Sequence, residues 1–299
     1  MSDTAASTEA LRDAGVRRVL VLILLLNAVV CAAKFVAGYI SQSLAVLSDG
    51  VHSSIDVLNN VVGLVLLRLA SKAPDEDHPY GHDKIETLGA FSIAGFMFIT
   101  CYEIAKRSLT RLARGEAPAF EITGLTFGVM FATLVVNVFV VAYEKRAARR
   151  FASQFLMADA LHTQSDVFVT ISVLVGLPLV SAGYSFLDAL LALGISAFIA
   201  RSGYQVVLAT VPVLLDAAIV DAESIRKLAL AIPRVVGVEN VRSRLHGGRK
   251  FVELTLIVAE TDLREAHDIT ERLEESIVEQ YGRAAITIHV EPAPHAVRR

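Results

Sequence analysis

Six apolar runs, each long enough to cross a lipid bilayer, fill most of the first 215 residues. About 20 apolar residues span the hydrocarbon core as a helix, and the runs 18–40, 43–69, 85–109, 122–143, 151–180 and 186–214 meet that requirement. A backbone surrounded by lipid has to satisfy its own hydrogen bonds, so each run is predicted to be a transmembrane helix. The chain is 54% hydrophobic and 20% charged, and the charge is concentrated outside these runs. The sequence therefore predicts three parts: a polar tail over 1–16, a six-helix membrane domain over 17–215, and a soluble domain over 216–299.

An even number of spans puts both termini on one side, and basic residues mark the cytoplasmic side. With the N-terminus inside, the inner flanks carry Arg12, Arg17, Arg18, Arg68, Lys72, Lys84, Lys145, Arg146, Arg149 and Arg150. The outer flanks carry Lys106, Arg107, Arg111 and Arg114, all after the third run, where a helix extending beyond the bilayer accounts for them. Both termini are thus expected in the cytosol. The start lacks the basic region of a signal peptide, and the absence of a targeting segment favours a bacterial inner membrane. A net charge of −3 gives no basic patch for nucleic acid. Cys31 and Cys101 sit singly in apolar runs and read as core residues.

The soluble part reads α-β-β-α-β. A helix over 221–232 stops at Pro233. Two β-rich runs, 235–245 and 250–258, flank the turn His246-Gly-Gly-Arg249. Asp262-Leu-Arg-Glu265 has the form of a capping box, opening a helix that Gly282 ends, and a last strand covers 284–290. This order predicts a small ferredoxin-like α+β domain.

Two of the membrane runs carry the same pattern of ionisable residues. Asp49-Gly-Val-His52-Ser-Ser-Ile-Asp56 and Asp159-Ala-Leu-His162-Thr-Gln-Ser-Asp166 both read D-x2-H-x3-D. On a helix these spacings place two carboxylates and an imidazole in one stripe. Such groups are costly in a membrane and face a partner, a cavity or an ion. Two stripes packed together form a nitrogen and oxygen set suited to tetrahedral Zn2+. Spacing leaves open which carboxylate of each copy is a ligand; Asp49 and Asp159 are candidates either for the ion itself or for holding a histidine ring.

Metal requires neutral histidine and ionised carboxylate, so metal and protons compete for the same groups. A site that must hold one or the other, and that opens to each side in turn, is an exchanger of divalent metal against protons. No HExxH run marks a zinc protease, so an enzyme is not expected. The alternative is a metal-sensing protein or assembly scaffold with little transport. The loop Pro74-Asp75-Glu76-Asp77-His78-Pro79-Tyr80-Gly81-His82 offers a further set, Asp75, His78 and His82. It reads either as zinc ligands or as a solvated acidic turn with pH-responsive histidines.

Together with Asp77-His-Pro-Tyr-Gly-His-Asp-Lys-Ile-Glu86 and Thr287-Ile-His-Val-Glu-Pro292, these motifs resemble the cation diffusion facilitators, a family of zinc and related divalent-cation exporters. The resemblance covers the chain from Lys34 to Pro292. It implies a metallochaperone-like cytoplasmic domain and a homodimer joined largely through it. It assigns the transport site to His52, Asp56, His162 and Asp166. This set is similar to that of zinc-preferring members, with Cd2+ and Co2+ as look-alikes and protons as the counter-substrate. It assigns the loop site to Asp75, His78 and His82, and a cytoplasmic-domain site to His267, His289 and Glu291, with His246 a further candidate. Two positions that are histidine in some relatives are Glu239 and Thr255 here, which implies a reduced cytoplasmic site. Lys84 and Asp216 match positions that form a charge bridge between the third and sixth helices near the dimer contact.

Overall fold

A computed structural model describes residues 2–41, 44–114, 124–181, 185–246, 248–259 and 262–293. The expected starts of the second and fourth runs, at 43 and 122, lie outside the described residues, as do Gly247 of the hairpin and His295 of the tail. The chain divides into two compact units, Met1–Val211 and Pro212–Arg299.

The first unit is built on six long helices: α1 (Ser2–Ser41), α2 (Leu44–Ala70), α3 (Lys84–Arg114), α4 (Gly124–Phe151), α5 (Gln154–Ser181) and α6 (Ser185–Leu214). Among the described residues, five helices are long and apolar enough to cross a membrane: α1 over Leu11–Ile40, α2 over Asp49–Ala70, α3, α4 over Phe127–Phe151 and α6 over Phe186–Leu214. The remaining helix, α5, has 28 residues and so measures roughly 42 Å. It carries Asp159, His162, Gln164 and Asp166 among apolar residues. It packs against α3 and α4, as α1 does against α2 and α4. Aliphatic side chains such as Leu20, Ile23, Met97, Val140, Leu156 and Ile199 form the buried centre.

The boundary between α4 and α5 differs from the expected one. α4 continues to Phe151 instead of stopping at Tyr143, so Glu144 belongs to the helix. The chain then turns at Ala152, whose φ is +48°, and Ser153 Oγ accepts the Leu156 N–H at 3.2 Å to start α5. The same serine donates to Glu86 Oε1 at 2.6 Å. Arg12 reaches this end of the bundle too, donating from Nη2 to Glu86 Oε2 and from Nε to the Phe151 carbonyl, both at 2.8 Å. One buried carboxylate thereby ties α1, α3 and the α4–α5 turn together.

The second unit follows the expected order. α7 (Ala222–Leu230) is capped by Asp221, and α8 (Leu263–Tyr281) by Asp262, whose side chain accepts the Glu265 N–H. Bonds from the Ser224 hydroxyl and N–H hold the Asp221 carboxyl below the usual aspartate range. α8 ends at Gly282, where φ is +78°, a conformation that glycine adopts without strain. Strands β1 (Val235–His246), β2 (Arg249–Val258) and β3 (Ala284–Pro292) form one sheet in that order. β1 and β2 are an antiparallel hairpin, and β3 returns parallel to β2 after α8. Ile225, Leu256, Leu273 and Ile277 are fully buried between sheet and helices.

Candidate metal centre

The two D-x2-H-x3-D stripes meet because α2 and α5 run antiparallel. His52 Nε2 lies 3.7 Å from Asp166 Oδ1, and His162 Nε2 lies 3.6 Å from Asp56 Oδ1 and 3.9 Å from Asp166 Oδ2. Each histidine therefore faces the aspartate of the other copy. Ligand atoms of His52, Asp56 and Asp166 all fall within 4.8 Å of one another. His162, nearly buried, joins them through the two carboxylates.

These separations are too long for hydrogen bonds. They approach the edge of a tetrahedron about 3.4 Å long that zinc–ligand bonds of about 2.0–2.1 Å define. Asp56 Oδ1 is buried without a hydrogen-bond partner, an arrangement that natural proteins avoid unless something else satisfies the atom. The cluster opens into a small cavity of about 60 Å³, lined also by Asn27, Lys34, Asp49, Asn137 and Thr170.

Antiparallel packing also explains why the leading aspartates stand apart. It pairs the inner two members of each stripe and leaves Asp49 and Asp159 at opposite ends of the layer. Asp49 Oδ2 pairs with Lys34 Nζ at 2.9 Å, and that ammonium also donates to Ser53 Oγ at 2.9 Å. Asp159 Oδ2 accepts from Asn60 Nδ2 at 3.0 Å, and Asn60 Oδ1 accepts from Asn27 Nδ2 at 2.7 Å. Among the described residues, neither aspartate is seen to hold a histidine ring through a hydrogen bond; Asp49 is held by Lys34 of α1 and Asp159 by Asn60 of α2.

In the loop after α2, Asp75 lies between two histidines. His78 Nδ1 is 3.2 Å from Asp75 Oδ1, and His82 Nε2 is 3.3 Å from Asp75 Oδ2. The imidazole centroids are 4.5 Å apart, and all three ligand atoms fall within 4.8 Å. The His78 N–H donates to Asp75 Oδ1 at 2.7 Å. That bond, with the His78 side chain, holds the Asp75 carboxyl below its ordinary range.

The soluble-domain residues are not gathered in the same way. His289 and Glu291 share the outward face of β3, with Nε2 and Oε1 3.3 Å apart. His267 stands on α8, 3.5 Å from Glu271. Among the described residues the trio does not form a metal-holding group. Register sets Glu239 beside Thr255 and Thr255 beside His289, so the positions that depart from the resembled pattern form one row with the histidine. Asp216 lies 3.8 Å from Arg244 within its own unit.

Glu144 on α4 escaped the sequence reading. It is 0% exposed, and a carboxylate inside an apolar run signals a functional site. The adjoining Lys145-Arg146 made it look like the start of a solvated flank.

The chain matches the cation efflux transmembrane domain over residues 20–215 and the cation efflux protein cytoplasmic domain over residues 220–293. The chain belongs to the cation diffusion facilitator family. An uncharacterized transporter of Methanocaldococcus jannaschii is 34% identical over 85% of this facilitator and 90% of its own length. The cation-efflux pump FieF of Salmonella typhi is 30% identical, covering 87% of each chain. A solved structure of the putative zinc transporter CzrB is 32% identical over 24% of the facilitator and 90% of that chain, with a TM-score of 0.23. The facilitator is an integral membrane protein of a family of cation efflux transporters, not enzymes.

Proposed function

We propose that the facilitator exports a divalent metal cation, zinc before cadmium or cobalt, in exchange for protons. His52, Asp56, His162 and Asp166 are the ligands, exposed in turn to each side of the membrane. The observation that carries this reading is the crosswise pairing of the two stripes at spacings suited to one tetrahedral ion. Two carboxylates in a low-dielectric layer need neutralising. One divalent ion does that and so do two protons, so occupancy by one opposes the other. Half of the ligand set sits on each helix, so a relative shift of α2 and α5 opens the tetrahedron and lets the ion leave.

Basic flanks support both termini and the α/β unit lying on the cytoplasmic side, in a bacterial inner membrane. The protein acts as a homodimer held largely by the α/β unit, with Lys84 and Asp216 bridging near the dimer contact. The trio Asp75, His78 and His82 binds a second ion. His289 and Glu291, with His267, bind a third more weakly, because one chain leaves His267 apart from the other two.

The test is zinc flux into proteoliposomes under an imposed pH gradient. Asp56→Ala and His162→Ala are expected to lower the rate by at least about a hundredfold, equivalent to a transport barrier raised by about 2.7 kcal/mol or more. Wild-type flux that ignores the pH gradient ends the exchange reading. A zinc-dependent conformational change without any flux makes the protein a sensor instead.

A further inference from the structure

Both carboxylate oxygens of Glu144 are buried without a hydrogen-bond donor. The polar group that Glu144 meets is the carboxyl of Asp159, itself 4% exposed. Two carboxylates face each other there, and each can only accept unless one carries a proton. Two ionised carboxylates in contact within a low-dielectric layer repel strongly, and a single shared proton relieves the repulsion and supplies the missing donor. A metal ion is a poorer occupant. Neither residue lines the metal cavity or the two larger cavities of the helical unit lined by Arg17 and Arg68 and by Lys145 and Gln154, whereas a proton needs no room.

Among the described residues, the opposite charge acting on the pair is His162 of the metal layer, which acts on Asp159 and not on Glu144. Asp159 is the charged group acting on Glu144, and α1, which packs against α4, buries the apolar side chains Val16, Leu20 and Ile23. On α5 and α2, the charged groups acting on Asp159 besides Glu144 are His162, Asp56 and Asp166, from the metal layer. The pair is also wired to that layer. Asn27 lines the metal cavity and donates to Asn60, Asn60 donates to Asp159, and Asp159 meets Glu144. This line runs from the metal cavity towards the helix ends that carry Arg12, Phe151 and Ser153.

We propose that Glu144 and Asp159 form a one-proton site, separate from the metal ligands, on the cytoplasmic side of the transport site. This rests on the exchange reading above. The pair holds its proton while the metal site faces outward and gives it up to the cytosol when the site turns inward. One proton of the exchange therefore travels on groups that never touch the metal.

The test uses full-length protein with Glu144→Gln and, separately, Asp159→Asn. Each replaces a carboxyl by an amide of the same shape, so either variant serves if the other does not fold. Infrared difference spectra taken on zinc binding are expected to show, beside the bands of the metal ligands Asp56 and Asp166, one further carbonyl band of a protonated carboxylic acid in wild type, and to lose that further band in both variants. Zinc affinity at the transport site should stay within about threefold. Zinc flux driven by a pH gradient should fall by about tenfold, with fewer protons moved per metal ion. Survival of that further band in both variants overturns the proposal, as does flux that keeps the wild-type response to the gradient. Loss of one equivalent of bound zinc in Glu144→Gln overturns it too, making the pair a cation site. Wild-type flux indifferent to pH sinks the exchange reading alone, because the infrared band still decides whether the pair holds a proton.

Discussion

Asp49 and Asp166 are chemically identical members of the same repeated pattern, and their surroundings give them different work. Asp166 faces both histidines, whereas Asp49 is tied to Lys34. Asp166→Ala is expected to abolish zinc flux, while Asp49→Ala leaves zinc affinity within about threefold. Its cost falls on stability instead. Lys34 is buried and would keep Ser53 as its partner, so we expect a loss of about 1 kcal/mol, well below that of a fully buried pair because Asp49 is 40% exposed. Chemical denaturation and zinc titration of the same variant separate the two effects. A second residue-scale prediction follows from Asp75. Its carboxyl is held below the ordinary value of 3.8, so the order that it lends the loop is present above that pH and is lost as pH falls through the lowered value. Hydrogen exchange at the His78 amide should stay protected on acidification to the ordinary aspartate range and become unprotected below it. In Asp75→Asn the protection should no longer depend on pH over that range. The ligand types were legible from the sequence because ionisable residues inside apolar runs stand out. Glu144 was not, because a helix that outlasts the bilayer merges with the charged flank. The resemblance already set Asp49 and Asp159 apart from the four ligands, but what holds each of them was not legible, since Lys34 and Asn60 come from other parts of the chain.

The helices were readable as elements, but their closeness was not. Phe155 of α5 lies between Gly63 of α2 and Gly89 of α3. A Cβ on Gly63 would come within 2.4 Å of the ring tip, and one on Gly89 within 3.1 Å of its edge. Nothing in the spacing of two glycines and a phenylalanine, 63, 89 and 155, announces that they form one slot. The ring is 4% exposed and so has little room to yield. Gly63→Ala is therefore expected to push α2 away from α5 and widen the distances between His52 and Asp166 and between Asp56 and His162. Zinc affinity should fall by about tenfold without loss of helix content, equivalent to about 1.4 kcal/mol. Adding Phe155→Leu should recover most of the affinity, because the smaller side chain vacates the space the methyl needs. A double mutant no better than Gly63→Ala would show that the slot does not set the helix separation. In the soluble unit, the caps at Asp221 and Asp262 and the stop at Gly282 were legible as local chemistry. The irregular pairing of β1 around Asn240, with φ of +51°, was not, because asparagine marks a turn as readily as a bulge.

At the scale of the whole molecule, the chain carries two cores of different kinds. One joins membrane helices around Leu20, Met97 and Leu156, and the other lies between a three-stranded sheet and two helices around Leu256 and Leu273. The transport ligands all belong to the first unit. A ligand that binds one folded unit stabilises that unit by mass action, by about 2.7 kcal/mol at a hundred times its dissociation constant. Damage to the other core should leave this gain intact. Leu273 is fully buried, and Leu→Ala at such a site costs about 2–5 kcal/mol through lost burial and the cavity left behind. Leu273→Ala should therefore lower the unfolding transition followed by hydrogen exchange of β2 and α8. The zinc-dependent protection of α2 and α5 should remain as in wild type. His162→Ala should do the reverse, removing the zinc-dependent protection of the bundle and sparing the sheet. If Leu273→Ala also erased zinc protection of α2 and α5, the two cores would be one cooperative structure. Metal binding in the membrane would then depend on the soluble unit being folded, which separate cores do not require.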